Sequence, residues 1–491
     1  MNYVGFIQLL GTPIQQKLKP ALRALAVSAR PLATVSTLVA TDLIALTVSA
    51  VSSVWIRLWL GGTYHPSLYW QIWPLLGLFV LGYSIVGLYA GVALSPADEL
   101  RRTSVTTTLI YVVLGTATFL LRNTTVYSRG VFLMAWLLTL VLVPLTRGLV
   151  RQICAAQPWW GYPVLVLGAG KTGSMVIETL KARPEIGLKP VAILDDDPSK
   201  RGSLKGVPVL GPVSKAPELA RRLNLTYAIV AMPGVSSARV VGILEKYGQL
   251  FRHILLIPNL FGFSTLWVMA RDMGGVLGLE VRQQLLLPGP QLVKVCLTFL
   301  LTIVGGLIIL PLILLCGIAI KLDSRGPIFY GHTRIGKGGK LFKAWKFRSM
   351  YADGDRILEA YLEQCPKVRE EWERDRKLKH DPRITRIGKW LRRTSLDELP
   401  QLWNVLLGEM SLVGPRPIID EEVPLYGDKF DLYLKVLPGI TGLWQVSGRS
   451  DTTYEERVEL DEYYVRNWSV WLDIYILTKT VWVAIRAKGA Y

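Results

Sequence analysis

The sequence predicts a multi-domain membrane protein. It comprises an N-terminal four-helix transmembrane bundle, an α/β Rossmann-like domain, and a C-terminal mixed α/β domain headed by a re-entrant membrane helix. Three observations predict this. Four apolar stretches of near-spanning length come first. A strand, a glycine turn and a helix pattern follow within residues 160–262. A fifth apolar run, Val295–Ile320, then leads into a charged, mixed segment at 322–491.

The bulk numbers agree. A chain of 491 residues holds two to four domains, and 51% of its residues are hydrophobic. The net charge of +19 is uneven: residues 1–321 carry 28 Lys+Arg against 12 Asp+Glu, and residues 322–491 carry 28 against 25. The excess sits with the membrane segments, where it suits anionic lipid headgroups. No finger, homeodomain or RNA-recognition signature is present, so nucleic acid is not the expected partner. Cys154, Cys296, Cys316 and Cys365 lack metal-type spacing and read as reduced, structural thiols.

The first domain is expected over 1–152, with spans at Leu32–Ile56, Trp70–Leu94, Val105–Leu121 and Val131–Leu145. The first run is too long for a signal peptide and three spans follow, so an uncleaved anchor is expected. Lys17, Lys19, Arg23 and Arg30 keep the N-terminus inside, and the loop Gly61–Ser67 carries no positive charge. Arg101, Arg102, Arg147 and Arg151 mark the other inner ends; Arg57, Arg122 and Arg129 weaken the pattern without reversing it. Multi-pass insertion in a membrane follows. Asp42, inside the first span, is either functional or turned to a hydrated interior.

In the second domain, Tyr162–Gly168 is a short strand running into Gly168-Ala-Gly170-Lys-Thr-Gly173, and Val191–Asp195 is a second strand ending in an acid. This is the dinucleotide-binding pattern: Gly168, Gly170 and Gly173 would receive a pyrophosphate and Asp195 a ribose. The competing reading is that the glycines serve only turn and packing. No Tyr-x-x-x-Lys pair follows, so dehydratase or dehydrogenase chemistry has no visible catalyst. Residues 263–290 read as a linker.

The fifth run, within 291–321, is long enough to span, and Pro311 near its middle removes a backbone donor. Nucleotide-facing modules on both sides favour a broken helix that enters and leaves by one face. Beyond it, a charged helix is expected at about Asp355–Lys379. The Trp-rich tail from Tyr463 to Trp482 reads as either an interfacial element or a core helix.

Chemistry concentrates around Ser395-Leu-Asp397-Glu398-Leu-Pro-Gln401. Ser395 and Glu398 fit a capping box, with a helix at Leu402–Met410. Cationic groups surround the acid pair: Lys346, Arg348, Lys379, Arg383, Arg392, Arg393 and Arg416. Guanidinium forks match phosphate oxygens, and a carboxylate can attack phosphorus or hold Mg²⁺, so the set suits phosphoryl transfer.

Residues 291–491 resemble the bacterial polyprenol-phosphate hexose-1-phosphate transferases, the monotopic phosphoglycosyl transferases. The matching segments include Gly326–His332, Arg334–Gly336, Lys346–Met350, Asp381–Thr385, Ser395–Gln401, Met410–Pro417 and Pro438–Arg449. With its spans and nucleotide-fold module, the chain is similar to the large, undecaprenyl-phosphate galactose phosphotransferase-like subgroup. The resemblance implies ping-pong transfer from a UDP-sugar to undecaprenyl phosphate, with UMP released and a phosphosugar-aspartyl intermediate on Asp397. It implies Mg²⁺ at Glu398 and Asp397, and substrate binding by Lys346, Arg348, Lys379, Asp381, Arg383, Thr385, Arg393, Arg416 and Arg449. Membrane lipids, a homodimer, a bacterial inner-membrane location and a cytoplasmic catalytic domain at 322–491 are the further expectations. Two departures from the family pattern stand out: Leu310 replaces the usual Ser before the kink proline, and Lys294-Val-Cys-Leu-Thr298 replaces Lys-Arg-x-x-Asp. The alternatives are a non-catalytic scaffold or sensor, and a nucleotide-sugar dehydratase working through 160–262. The intact Asp397–Glu398 pair disfavours the first, and the missing Tyr-x-x-x-Lys pair the second.

Overall fold

A computed structural model describes residues 31–61, 73–89, 94–120, 128–247, 250–251, 253–257, 268–272, 277–281, 285, 287–364, 369, 378, 381–448 and 452–486. The chain forms two compact units, Met1–Leu260 and Phe261–Tyr491.

The first unit opens with helices α1 (Pro31–Trp59), α2 (Leu76–Ile85), α3 (Pro96–Leu120) and α4 (Arg129–Cys154). Of these, α1 and α4 are long and apolar enough to cross a membrane. The second expected span, Trp70–Leu94, contains only a short apolar helix, Trp73–Ile85, among the described residues. The helices share one core that includes Leu38, Leu46, Phe79, Tyr83, Val143 and Trp160. Hydroxyls within α1 fold back on their own helix: Thr37, Thr41 and Ser49 each donate to the carbonyl four residues earlier. That satisfies them where no water is at hand.

Asp42 is fully buried and faces Arg147 of α4, which donates to both its oxygens at 2.7 and 2.6 Å. Glu99 bridges Arg147 and Arg151 at 3.1 and 3.0 Å. Two guanidiniums and two carboxylates thus balance inside the helix cluster, which is what makes the burial tolerable. The acid in the first span faces a packed ion-pair network.

Strands β1 (Tyr162–Leu167), β2 (Leu188–Leu194), β3 (Gly202–Leu204), β4 (Val207–Gly211), β5 (Tyr227–Val230) and β6 (His253–Leu256) form one sheet in the order β3-β4-β2-β1-β5-β6. All pairings are parallel except β3 with β4. Helix α5 (Lys171–Ala182) follows β1, and α6 (Ala216–Leu223) and α7 (Ser237–Tyr247) flank β5. The near-continuous apolar strands are buried on both faces, as a covered parallel sheet requires. Chain order reverses between β1 and β5, the place where such sheets take ligands.

The second unit begins with an antiparallel hairpin, β7 (Val268–Asp272) and β8 (Leu277–Val281), inside the stretch expected as a linker. Helix α8 (Pro288–Asp323) follows; it is the third helix apolar enough to span, and it carries Pro311 within it. Next come the hairpin β9 (Phe329–Ile335) and β10 (Leu341–Phe347), α9 (Gly354–Gln364), α10 (Arg386–Thr394) and α11 (Gln401–Leu406). The expected charged helix is described only as far as Gln364 as a continuous element. Strands β11 (Ser411–Val413) and β12 (Gly439–Thr441) pair in parallel. Helices α12 (Tyr454–Asn467) and α13 (Val470–Arg486) close the chain. The Trp-rich tail is core at its start, with Trp468 and Ile476 buried, and exposed near Trp482.

Helix α8 is anchored to this unit near both ends. Lys294 is buried, and its ammonium donates to Val413 O, Tyr464 Oη and Asp473 Oδ2 at 3.0, 2.7 and 2.7 Å. All three of its protons are used. At the other end Cys316 and Ile320 pack against Phe347 and Leu391, and the Asp323 carboxylate accepts from Ile387 N at 3.1 Å.

Candidate active site

The acid pair sits in a 3₁₀ turn, Leu396–Glu398, between α10 and α11. The expected capping box does not form. Ser395 is the left-handed C-cap of α10, at φ 56°, and its side chain caps nothing. It ends one helix where the S-x-x-E spacing suggested it began another, and α11 covers only Gln401–Leu406.

The turn is pinned from below. Asn404 on α11 is fully buried; its amide oxygen accepts from Trp345 N at 3.0 Å and its nitrogen donates to Lys343 O at 2.8 Å. This joins α11 to β10, and β10 delivers Lys346, whose ammonium donates to Glu398 Oε1 at 2.7 Å. On the other side Arg392 donates to Ser349 Oγ at 2.8 Å and lies within electrostatic range of Asp397 and Asp381.

Asp397 is half-buried. Burial, and then the neighbouring Glu398, push its carboxyl up to about 6, against the pull of Lys346 and Arg392. Desolvation outweighs the attraction of the two cations. Glu398 also acts on Arg334, which burial and repulsion by Arg416 hold below the usual guanidinium range. Arg334 lies 3.9 Å from Glu422. The result is a half-buried carboxylate flanked by cations, an arrangement suited to attack on an electrophilic phosphorus.

Arg416 sits in the turn after β11. Gly414 and Gly439 make that turn possible: a Cβ on Gly439 would lie 2.1 Å from Gly414 N. Gly439 N donates to Pro415 O and Gly414 N to Thr441 O, at 2.8 and 2.9 Å. The segments Met410–Pro417 and Pro438–Arg449 are therefore two halves of one backbone contact.

Other expected binding residues have different partners. Arg348 is buried and donates to Arg325 O, Ser324 O and Ser324 Oγ, securing the chain after α8. Asp381 and Arg383 form a local bidentate pair at 2.9 and 2.7 Å; burial raises the acid, but the Arg383 bonds outweigh it and hold it low. Thr385 is the N-cap of α10, accepting from Gly388 N at 2.9 Å. Arg393 is exposed, because α10 buries Gly388 and Leu391 and so turns Arg392 inward and Arg393 outward. Lys379 and Arg449 lie outside the described residues. Sequence reasoning missed Asn404 altogether, and it favoured Arg393 over Arg392; the apolar periodicity of α10 was the signal for the latter.

The glycine loop of the first unit has the expected shape with a different use of its acid. Gly168 is at φ +110°, and a Cβ there would strike Ala231 O at 2.6 Å; on Gly173 it would strike Gly168 O at 2.1 Å. Gly170 faces open space. Asp195, however, accepts from Ala169 N at 2.7 Å, from Asp197 N at 2.9 Å and from Lys200 at 3.3 Å. Its carboxylate braces the loop and the turn that follows β2.

Among the described residues no group of three or more His, Cys, Asp or Glu is placed to hold a metal ion. Asp397 and Glu398 supply two carboxylates, which fits Mg²⁺, an ion that commonly binds one or two carboxylates and completes its sphere with substrate phosphates and water.

Residues 290–487 match the family described as bacterial sugar transferase, and residues 84–258 match one described as CoA-binding domain. The chain is 39% identical over 373 residues to a UDP-galactose-lipid carrier transferase of Erwinia amylovora, covering 74% of this chain and 76% of that protein. It is 36% identical to an undecaprenyl-phosphate galactose phosphotransferase of Salmonella typhimurium, covering 74% and 77%. It is 34% identical to a UDP-glucose:undecaprenyl-phosphate glucose-1-phosphate transferase of Escherichia coli, covering 67% and 68%.

Proposed function

The chain belongs to the bacterial sugar transferases, and from that membership we propose that it moves a hexose 1-phosphate, galactose or glucose, from a UDP-sugar to undecaprenyl phosphate. This is the first membrane step of surface polysaccharide synthesis. The observation that carries the mechanism is Asp397: a carboxyl pushed up to about 6 by burial, yet faced by Lys346 and Arg392. Near pH 7 it is mostly ionised and poorly solvated, which favours nucleophilic attack.

Its oxygen attacks the β-phosphorus of the donor. The bond from that phosphorus to the bridging oxygen breaks, and its electron pair leaves with UMP. A phosphate oxygen of undecaprenyl phosphate then attacks the same phosphorus, and the Asp397 oxygen departs. Lys346 keeps Glu398 in register beside the nucleophile, and Arg416 with Arg334 offers positive charge to the diphosphate. Glu398 and Asp397 would hold Mg²⁺, which when bound neutralises charge on the donor phosphates.

We also infer the membrane arrangement. Lys294 and Asp323 of α8 both bind the folded second unit. A straight helix between them would be about 43 Å long, and a spanning one would put its ends on opposite sides of a ~30 Å hydrocarbon layer. Contacts with one domain at both ends favour a re-entrant path, and Pro311, inside the uninterrupted helix, removes a backbone donor where such a path would bend. Helices α1 to α4 then form the inner-membrane bundle, and Arg101, Arg102, Arg147 and Arg151 mark its cytoplasmic ends.

A panel of UDP-sugars, offered with and without undecaprenyl phosphate to the purified protein in lipid nanodiscs, tests the function. Sustained UMP release is expected only when both substrates are present. No UMP from any UDP-hexose in their joint presence would refute it.

A further inference from the structure

We propose that Arg457 is a second guanidinium of the donor site, sharing the Trp444 ring with Arg416 so that the two grip the diphosphate of the nucleotide sugar. This deepens the transferase reading and rests on it.

Trp444 is buried at 5% exposure, in the short helix Leu443–Ser447 that follows β12. The guanidinium carbon of Arg457 lies 4.7 Å from its ring centroid, and that of Arg416 lies 5.5 Å from it. The two cations can be no farther apart than the sum of those distances, within reach of one polyanion. Neither guanidinium makes a hydrogen bond or ion pair with a described residue. The buried Nε of Arg457 and the buried Nε1 of Trp444 also have no acceptor. Orphaned buried donors are rare and call for a partner. Attraction to an aromatic face steadies a cation without neutralising it, and it leaves the N–H edges free.

The nearby acids do not supply the missing charge. Glu422 lies 3.9 Å from Arg334 and accepts from Ile419 N at 3.1 Å. Asp461 accepts from Tyr426 Oη at 2.8 Å through Oδ2, and its buried Oδ1 has no partner among the described residues. Burial pushes the Asp461 carboxyl up to about 7, so it offers only part of a counter-charge at neutral pH. What fits two guanidiniums that share one ring and have no ion-pair partner among the described residues is a doubly charged group with several oxygens. Arg416 and Arg334 repel each other, and Arg334 and Glu398 attract, so the pocket is electrostatically continuous with the nucleophile turn.

The test uses full-length protein in nanodiscs carrying Arg457→Gln or Arg457→Lys. UDP binding is read by calorimetry, and KM for the UDP-sugar and for undecaprenyl phosphate is read from UMP release. With Gln, UDP affinity should fall about tenfold or more, as expected for a lost charged contact. KM for the UDP-sugar should rise in step, KM for the lipid should hold, and Lys should restore part of the loss. Unchanged UDP affinity, with or without a lower unfolding temperature, overturns the proposal in favour of a packing role or a water joining Arg457 Nε to Asp461 Oδ1. A rise confined to the lipid KM overturns it in favour of the acceptor's phosphate. Wild-type protein that binds UDP but turns over no UDP-hexose would refute the transferase reading and leave the diphosphate site standing.

Discussion

Replacing Asp397 by Asn should abolish turnover and stabilise the fold, and the second effect should depend on pH. Burial and Glu398 raise this carboxyl from its ordinary 3.8 to about 6. Each tenfold change in proton affinity is worth about 1.4 kcal/mol, so ionising Asp397 costs the folded state about 3 kcal/mol. The sign follows from the raised value. Below the unfolded pKa the acid is protonated in both states and nothing is lost. As pH climbs from about 4 to about 6 only the unfolded chain ionises, and stability falls over that window. Asn carries no charge to desolvate, so Asp397→Asn should match wild type near pH 3 and exceed it by up to about 3 kcal/mol above pH 7. The assay is unfolding in nanodiscs across that pH range, beside mass spectrometry of protein incubated with UDP-sugar alone. Wild type should gain the mass of a hexose phosphate on the peptide containing Asp397, and the variant should not. A stability difference equal at both pH values would refute the desolvation argument. Turnover in the variant, or an adduct on another residue, would refute the nucleophile.

Three further outcomes follow from the same contacts. Lys346→Gln removes a cation that draws the Asp397 carboxyl down, so the acidic limb of the pH–rate profile should move above about 6; a limb that stays put would contradict the placement of Lys346. Asp42→Asn or Arg147→Met alone strands a buried charge and should destabilise the first unit by about 3–5 kcal/mol, whereas the double variant should lose less than the sum, read by thermal unfolding. In a background without native cysteines, Leu287→Cys and Leu322→Cys, both exposed and at opposite ends of α8, should be labelled only from the cytoplasmic face; labelling of Leu322→Cys from outside intact cells would exclude the re-entrant path.

Much of the site was legible because its chemistry is written in short contiguous runs. Asp397 and Glu398 are adjacent, and Arg416 lies between two prolines that restrict its turn. The glycine loop likewise declared its fold through Gly168 and Gly173. What stayed hidden depends on contacts across long sequence separation. Lys294 finds Asp473 179 positions away, so the missing acid in its own helix pattern gave no hint of its partner. Asn404 joins α11 to β10 through backbone groups, and an amide among apolar residues carries no motif. The capping-box error has a local cause. S-x-x-E spacing records which residues can cap a helix, but Ser395 adopts the left-handed conformation that ends one. Spacing alone does not distinguish these when two helices abut.

Under the proposed mechanism, the same contacts would let Asp397 serve two substrates of opposite solubility without moving. A carboxylate that takes a phosphosugar from a soluble donor and yields it to a lipid must meet both phosphates in line from one position. Asp323, at the end of the membrane helix α8, binds the first turn of α10. The last turn of α10 runs through Ser395 into the Asp397 turn, and Asn404 then locks the following helix to the strand bearing Lys346. Lys294 fixes the other end of α8 to α12 and α13. The membrane helix, the nucleophile and its cation are thus held in one register by a few buried hydrogen bonds. Each of those bonds is inherently dispensable to the chemistry of phosphoryl transfer. On the proposed mechanism, their value lies in holding a poorly solvated carboxylate at a fixed offset from α8, so that the lipid phosphate would arrive where the donor phosphate was.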